Sequence, residues 1–177
     1  PFRARPAPAH RGAAARMKYF AITPEDCSPL MLTGCLSRLK GNGVSFLYLR
    51  SHLLYNDIAL LLPAVSGTGI VPIVPSRLAL SPTGIPFGLH FKSSEHSLLT
   101  DHRDSLPELL TVSCHDAASA VRMLEGPARY VFVSPVFTPL SKREDVRPLF
   151  PGEDLKKLVH RFGERVVVLG GMSAARV

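Results

Sequence analysis

Cysteine is scarce in this chain of 177 residues, and tryptophan is absent. The three cysteines, Cys27, Cys35 and Cys114, are odd in number and lack CxxC spacing, which excludes a disulfide scaffold. We expect reduced thiols, which predicts a cytoplasmic protein. The seven histidines are scattered, and no pair of them has zinc-site spacing with a cysteine or carboxylate partner. A zinc site is therefore not expected.

Long apolar runs are also missing. Even Ile58–Val65 is far shorter than the roughly 20 residues that a membrane-spanning helix needs, so no membrane association is expected. The composition, 46% hydrophobic and 20% charged, is instead that of a globular protein, and the length suits one domain.

Acidic residues are absent from the first sixteen positions, which contain four arginines and three prolines. We predict that residues 1–16 are disordered, either as an organelle transit peptide or as an extension upstream of a natural start at Met17. We favour the second interpretation. Without the four arginines the net charge falls from +7 to +3, and no basic segment is interleaved with aromatic residues. No nucleic-acid partner is expected.

Seven short apolar runs, rich in β-branched and aromatic residues, are spread over residues 17–177 and predict buried strands. The runs are Tyr19–Thr23, Phe46–Arg50, Ile70–Val74, Gly88–Phe91, Leu109–Cys114, Tyr130–Pro135 and Val166–Gly170. Segments with helical periodicity separate most of them, and these are Leu30–Lys40, Leu54–Val65, Asp116–Leu124 and Glu153–Phe162. This alternation predicts parallel βα units with right-handed crossovers.

The sequence has no GxGxxG or GxxxxGK[ST] turn after the first strand, which argues against an open nucleotide-binding sheet. Polar residues instead follow many of the strands, as in a (β/α)₈ barrel. We therefore predict an α/β fold, a TIM barrel truncated after its seventh strand, because Val177 follows soon after the last run.

The last two runs end in residues suited to binding an anion. The sixth is followed by hydroxyl and ammonium groups, and the seventh by Gly170-Gly171, whose bare backbone can approach an anion closely. The polar residues after the sixth run are Ser134, Thr138, Ser141 and Lys142. Because late strand ends bind phosphate in parallel barrels, we predict a phosphorylated small molecule as the ligand.

Four segments together resemble the thiamine phosphate synthase/TenI family. Tyr48–Arg50 is similar to the family's Q-L-R-E-K, and Val112–His115 to its V-S-T-H. Pro135–Lys142 is similar to PVFPTxTK, and Val168–Met172 to AIGGI. The resemblance covers Lys18 to Met172 and implies a TIM barrel. It also implies either joining of a pyrimidine diphosphate to a thiazole phosphate with Mg²⁺, or aromatisation of a thiazole phosphate tautomer.

Matched residue by residue, the resemblance implies that Arg50 contacts the pyrophosphate and that His52 stands where the family has lysine. Ser76 replaces a metal-binding aspartate, which leaves Glu95 as the candidate ligand for Mg²⁺. The resemblance implies a phosphate shell formed by Ser113, Ser141, Lys142, Gly170 and Gly171. Ser134 and Thr138 are added as phosphate-binding candidates because their hydroxyls follow the sixth run.

We therefore expect Arg50, Lys142 and His52 as catalytic residues of a synthase-like protein. Tautomerase activity is the alternative; the family's catalytic histidine is replaced by Ser134, so His52 or His115 would have to substitute for it. A non-catalytic phosphate binder and a truncated, inactive product also remain open.

Several of these residues have a structural alternative. Arg50 could pair with Glu25 or Asp26 at the rim, His115 could cap the following helix, and His90 could be a hydrogen-bonded core residue.

Overall fold

The computed structural model describes residues 18–78, 84–101, 106–138 and 148–171. The predicted site residues Ser141 and Lys142, and the basic leader, lie outside these ranges. None of the described helices is both long enough and apolar enough to cross a membrane.

Within the described ranges, seven strands alternate with five α-helices. The strands are β1 (Tyr19–Ile22), β2 (Val44–Tyr48), β3 (Val71–Pro75), β4 (Gly88–Phe91), β5 (Leu110–Cys114), β6 (Tyr130–Val133) and β7 (Val166–Val168). The helices are α1 (Pro29–Gly41), α2 (Ile58–Ser66), α3 (Leu98–Asp101), α4 (Ala117–Glu125) and α5 (Gly152–Phe162). Short 3₁₀ turns occur at His52–Asp57, Ser93–Glu95 and Gly163–Arg165. Each apolar run predicted as a strand overlaps one of these strands.

Two of the helices, α1 and α4, begin at residues whose side chains cap them. Ser28 accepts a hydrogen bond from the backbone N–H of Met31 at 3.3 Å and so caps α1, and Asp116 caps α4 by accepting from Ser119 N–H at 2.7 Å. The predicted helix Leu54–Val65 differs in its first turn, which is 3₁₀ and capped by Ser51. α-Helical hydrogen bonding begins only at Ile58.

Every strand pairs in parallel with the next one along the chain, which gives the sheet order β1 to β7. The sheet curls strongly. Phe20 of β1 stacks on Phe46 of the neighbouring β2 at 4.5 Å between ring centroids, and it also meets Tyr130 and Phe132 of the distant β6 at 5.0 and 5.3 Å. The fold is therefore a curled half-barrel with helices between the strands, which confirms the predicted TIM-like barrel truncated after its seventh strand.

The apolar core lies mainly between the outer face of the sheet and the helices, in two clusters. The first cluster packs α1 and α2 against β2 and β3, with Leu32, Leu62 and Val74 fully buried. The second packs α4 and α5 against β5 and β6, around Leu124 and Leu158. Because the clusters hold each strand from outside, the carboxyl ends of the strands are fixed around one end of the barrel.

Candidate functional site

A cavity of about 610 Å³ opens at the carboxyl ends of the strands. Its walls come from residues at or just after most of the strands, because parallel strands all end at the same edge. The lining residues are Ile22, Glu25, Tyr48, Arg50, His52, Arg77, His90, Lys92, Ser93, Ser94, Ser113, His115, Phe132, Ser134 and Leu169. The volume suits a small molecule.

The cavity brings together four of the residues predicted from the sequence, namely Arg50, His52, Ser113 and Ser134. Other predicted residues, Glu95, Thr138, Gly170 and Gly171, are described but do not line it. The assignments of Ser141 and Lys142 fall outside the described residues. The functional roles of all these residues stay predictions.

The backbone that carries Arg50 is tied to β1 and its side chain is only loosely paired. The hydroxyl of Thr23 accepts from Arg50 N–H at 2.9 Å and from Ser51 N–H at 3.2 Å. The guanidinium lies 3.7 Å from the Glu25 carboxylate, and both side chains are substantially exposed. The rim ion pair considered for Arg50 is therefore present, but it is weak and leaves the guanidinium at the cavity.

A tyrosine joins the two arginines of the cavity. Tyr55 accepts from Arg77 Nη2 at 2.7 Å and donates from its hydroxyl to the backbone carbonyl of Arg50 at 3.0 Å. The Arg77 guanidinium also lies over the Tyr55 ring, 5.3 Å from its centroid. Both contacts favour one orientation of Arg77.

The candidate metal position at Ser76 and Glu95 is internally hydrogen-bonded. Oε2 of Glu95 accepts from the Ser76 hydroxyl at 2.7 Å and from the backbone N–H of Lys92 at 2.8 Å. Among the described residues there is no group of three or more His, Cys, Asp or Glu side chains able to hold a metal ion. Glu95 thus serves here to close the 3₁₀ turn after β4, and the Mg²⁺ assignment stays a prediction.

His90 sits in the inner face of the sheet, with both ring nitrogens hydrogen-bonded. Nδ1 is 2.9 Å from the Thr111 hydroxyl and Nε2 is 2.9 Å from the Ser113 hydroxyl. Thr111 donates its own proton to the Leu89 carbonyl, so Nδ1 is the donor and Nε2 accepts from Ser113. Burial lowers the pKa of His90 to about 4, so the ring is neutral near pH 7. These contacts agree with the interpretation of His90 as a satisfied core histidine that borders the cavity.

His115 does not cap α4, as one interpretation of the sequence proposed, because Asp116 makes that cap. Instead Nδ1 of His115 lies 2.6 Å from the backbone carbonyl of Ser134. A carbonyl oxygen only accepts, so Nδ1 carries the proton. In the neutral ring Nε2 then keeps a lone pair, and the residue lines the cavity.

The segments after β6 and β7 are in direct contact. Val136 N–H donates to the Leu169 carbonyl at 3.0 Å, and Phe137 N–H donates to the Gly170 carbonyl at 3.1 Å. A Cβ on Gly170 would lie 2.9 Å from Pro135 Cα, and φ there is +91°. The glycine backbone was predicted to make room for an anion; the space beside it is taken by the segment after β6.

The sequence prediction did not assign a role to Tyr55, Thr111 or Arg77. Arg77 follows directly after a predicted strand, which is the available signal for it. Tyr55 lies in a turn and Thr111 inside a strand, so neither carries a recognisable pattern.

The fold and cavity define a parallel α/β half-barrel with a polar site at the carboxyl ends of its strands. No protein-family model matches the chain, and no curated protein matches it by sequence. Among solved structures, the chain is similar to a thiamine phosphate pyrophosphorylase from Pyrococcus furiosus, with a TM-score of 0.69 and 17% identity. That match covers 89% of this chain and 76% of the other.

A variant of the citrate synthase SbnG also matches, with a TM-score of 0.52, 12% identity and coverage of 86% of this chain and 84% of the other. At these identities the two matches show a shared fold alone. The first bears the name of the family that the sequence motifs resemble.

Proposed function

We propose that this protein binds a thiazole phosphate at the carboxyl face of its half-barrel, as a thiamine phosphate synthase/TenI-like protein. The observation that carries the proposal is the set of cations around the cavity. Arg50, Arg77 and Lys92 line it, whereas Glu25 is the one carboxylate in its described lining. A cavity with this charge favours an anionic ligand, and its position is where parallel barrels hold phosphate groups.

In a synthase reaction the thiazole nitrogen would displace pyrophosphate from the pyrimidine methylene carbon. Negative charge then grows on the departing pyrophosphate. Arg50, which lines the cavity, would stabilise that charge, and Lys142 and Ser141 are predicted from the sequence to assist. The hydroxyl of Ser134, on the opposite wall, would contact the ligand as a neutral donor. The Ser113 hydroxyl, whose proton is donated to His90, could only accept from the ligand.

Tautomerase activity is the second candidate, and the geometry of His115 favours it. This reaction requires a group that removes and returns a proton at a carbon atom. His115 holds its Nδ1 proton on the Ser134 carbonyl, so its Nε2 is unprotonated in the neutral ring and can act as a base. His52 also lines the cavity and remains the other candidate acid–base residue.

The first experiment is calorimetric titration of the purified chain with thiazole phosphate, with and without Mg²⁺. We expect binding that weakens about tenfold or more in Lys142→Ala, because one charge-assisted contact is lost. Lys156→Ala serves as the matched control, since Lys156 is exposed on α5 and pairs with Glu153. Failure of the chain to bind any thiazole phosphate would contradict the proposal.

Activity assays separate the two candidate reactions. Formation of thiamine phosphate from the two substrates would establish a synthase. Conversion of the thiazole tautomer, lost in His115→Ala or His52→Ala, would establish a tautomerase and name its acid–base residue. Binding without either conversion would identify a phosphate-binding paralogue.

A further inference from the structure

The residues around Glu95 are poorly suited to a divalent cation. Mg²⁺ is usually held by one or two carboxylates with several waters in octahedral geometry. Here, among the residues that the structure describes, no three His, Cys, Asp or Glu side chains come together, and Oε2 of Glu95 already accepts from Ser76 at 2.7 Å and from Lys92 N–H at 2.8 Å. A metal ion at this oxygen would have to displace both hydrogen bonds. The Lys92 side chain, which lines the cavity, also places a positive charge nearby.

The same wall of the cavity contains two arginine side chains that can bind an anion in place of a metal ion. Arg77 and Arg50 are linked through the Tyr55 hydroxyl, which accepts from Arg77 Nη2 at 2.7 Å and donates to the Arg50 carbonyl at 3.0 Å. The Tyr55 ring lies beneath the Arg77 guanidinium at 5.3 Å. Arg77 is therefore oriented before any ligand arrives, which lowers the entropy cost of binding an anion.

The guanidinium of Arg50 is available to bind an incoming anion. Its ion pair with Glu25 is long, at 3.7 Å, and both side chains are well exposed to solvent, so an incoming anion can replace the carboxylate at small cost. Arginine is suited to this role because its planar fork can donate two hydrogen bonds to one phosphate group.

We propose that Arg50, Arg77 and Lys92 bind a diphosphate or phosphate group without a divalent cation. Tyr55 acts as the positioning residue for Arg77. The inference rests on the proposed function for the class of ligand, a phosphorylated small molecule. It replaces the metal-bridged contact implied by the family resemblance with direct contacts from side-chain cations.

The test is calorimetric titration of the full chain with inorganic pyrophosphate, first in excess EDTA and then in excess Mg²⁺. We expect binding in EDTA that Mg²⁺ does not strengthen. Binding that appears only with Mg²⁺, or that Mg²⁺ strengthens about tenfold or more, would overturn the inference. Absence of pyrophosphate binding under both conditions would overturn it as well.

Variants then test the named residues in EDTA. Arg77→Gln should weaken pyrophosphate binding about tenfold, through loss of a charge-assisted contact. The matched control is Lys157→Gln, which removes one charge from the exposed face of α5 and should change affinity less than about twofold. Equal effects of the two variants would show that Arg77 makes no contact. Circular dichroism and melting temperature confirm that each variant is folded.

A double-mutant cycle separates positioning from a merely structural role for Tyr55. Tyr55→Phe removes the hydroxyl and keeps the ring, so we expect about a threefold loss of affinity in the wild-type background. In the Arg77→Gln background the same change should have almost no effect, because the hydroxyl no longer has a guanidinium to orient. Equal losses in both backgrounds would contradict the positioning role.

These outcomes separate the inference from the proposed function. If pyrophosphate requires Mg²⁺ while thiazole phosphate still binds, the inference fails and the proposed function stands. If pyrophosphate binds in EDTA while no thiazole phosphate binds, the cation site stands and the proposed function fails.

Discussion

On the side of the cavity formed by the ends of β2, β3 and β4, the polar groups include the cations Arg50, Arg77 and Lys92. On the side formed by β5 and β6, they are the hydroxyls of Ser113 and Ser134 and the ring of His115, and β7 adds the apolar Leu169. We call these the cationic side and the neutral side. They differ in what fixes their geometry as well as in charge.

On the cationic side, hydrogen bonds between side chains and turns set the positions of the charged groups, with Tyr55 at the centre. On the neutral side, close backbone contact between Val136, Phe137 and the Leu169-Gly170 segment sets the shape. Attraction for an anionic ligand therefore comes from the cationic side, whereas rigidity of the site comes from the neutral side. Substitutions that disturb the contact between these two segments should therefore change stability, and those on the cationic side should change affinity.

The largest effect is expected from Gly171→Ala, on the neutral side. A Cβ there would lie 2.7 Å from the Thr138 carbonyl oxygen and 2.8 Å from Phe137 Cβ, and φ is +63°. Because the backbone strain and the steric overlap add, we expect a loss of about 2–4 kcal/mol in the free energy of unfolding. Urea denaturation measures it.

Gly152→Ala is the matched control, since a Cβ on Gly152 meets no atom within 4 Å. Gly152 begins α5, so alanine should leave stability unchanged or raise it slightly. A similar loss in both variants would contradict the idea that close packing of the two segments fixes the neutral side.

The next effect concerns pH and His90, which lies between the two sides. Below pH 6.5 the unfolded chain gains a proton on this imidazole, whereas the folded chain does not until about pH 4. Stability is therefore full above pH 6.5 and falls as the pH drops to about 4, by a contribution on the order of 3 kcal/mol.

The measurement is urea denaturation at several pH values between 7 and 4, for the wild type and for His90→Gln. Glutamine keeps hydrogen-bonding groups near Thr111 and Ser113 but does not titrate, so its stability should fall less over this range. The difference between the two profiles isolates the histidine from the other acidic groups. Parallel profiles would show that His90 ionises as easily in the folded chain as in the unfolded one.

The smallest effect is expected on the cationic side, from Glu25→Gln. Removing the carboxylate that lies 3.7 Å from Arg50 should strengthen pyrophosphate binding by about two- to threefold, as an exposed ion pair is weak. Stability should not change measurably. Glu153→Gln, in the exposed ion pair with Lys156, is the control for net charge. Weaker binding in Glu25→Gln would mean that Glu25 holds Arg50 in place and does not compete with the ligand.

Much of the fold could be predicted from the sequence because its signals are local. Apolar runs such as Tyr130–Pro135 and helix stops such as Gly41 and Gly163 mark the elements directly. Since parallel strands end at one edge, the placement of Arg50 and Ser113 around one cavity also followed from the sequence.

The details that decide the chemistry depend on contacts between distant residues. The Arg77–Tyr55 hydrogen bond joins side chains 22 positions apart, and no spacing rule predicts it. The pairing of Ser76 with Glu95 depends on the side-chain positions, although the family resemblance had assigned both residues to the metal site. The role of Gly170 was predicted from its missing Cβ, but the group that fills the adjacent space, Pro135, is visible only in three dimensions.

The hydroxyl of Thr23 has one further consequence for the molecule. It follows β1, at one margin of the sheet, and it receives the backbone N–H of Arg50 at 2.9 Å. β1 is in turn held to the far end of the sheet by side chains: the Lys18 ammonium reaches the Tyr130 hydroxyl at 3.1 Å and Glu164 at 3.2 Å. Detachment of the first strand would thus release the turn that carries a ligand-facing guanidinium. An anion bound to that guanidinium should therefore stabilise the attached state of β1 by mass action. Amide hydrogen exchange along β1 should then be slower, although the anion does not contact this strand.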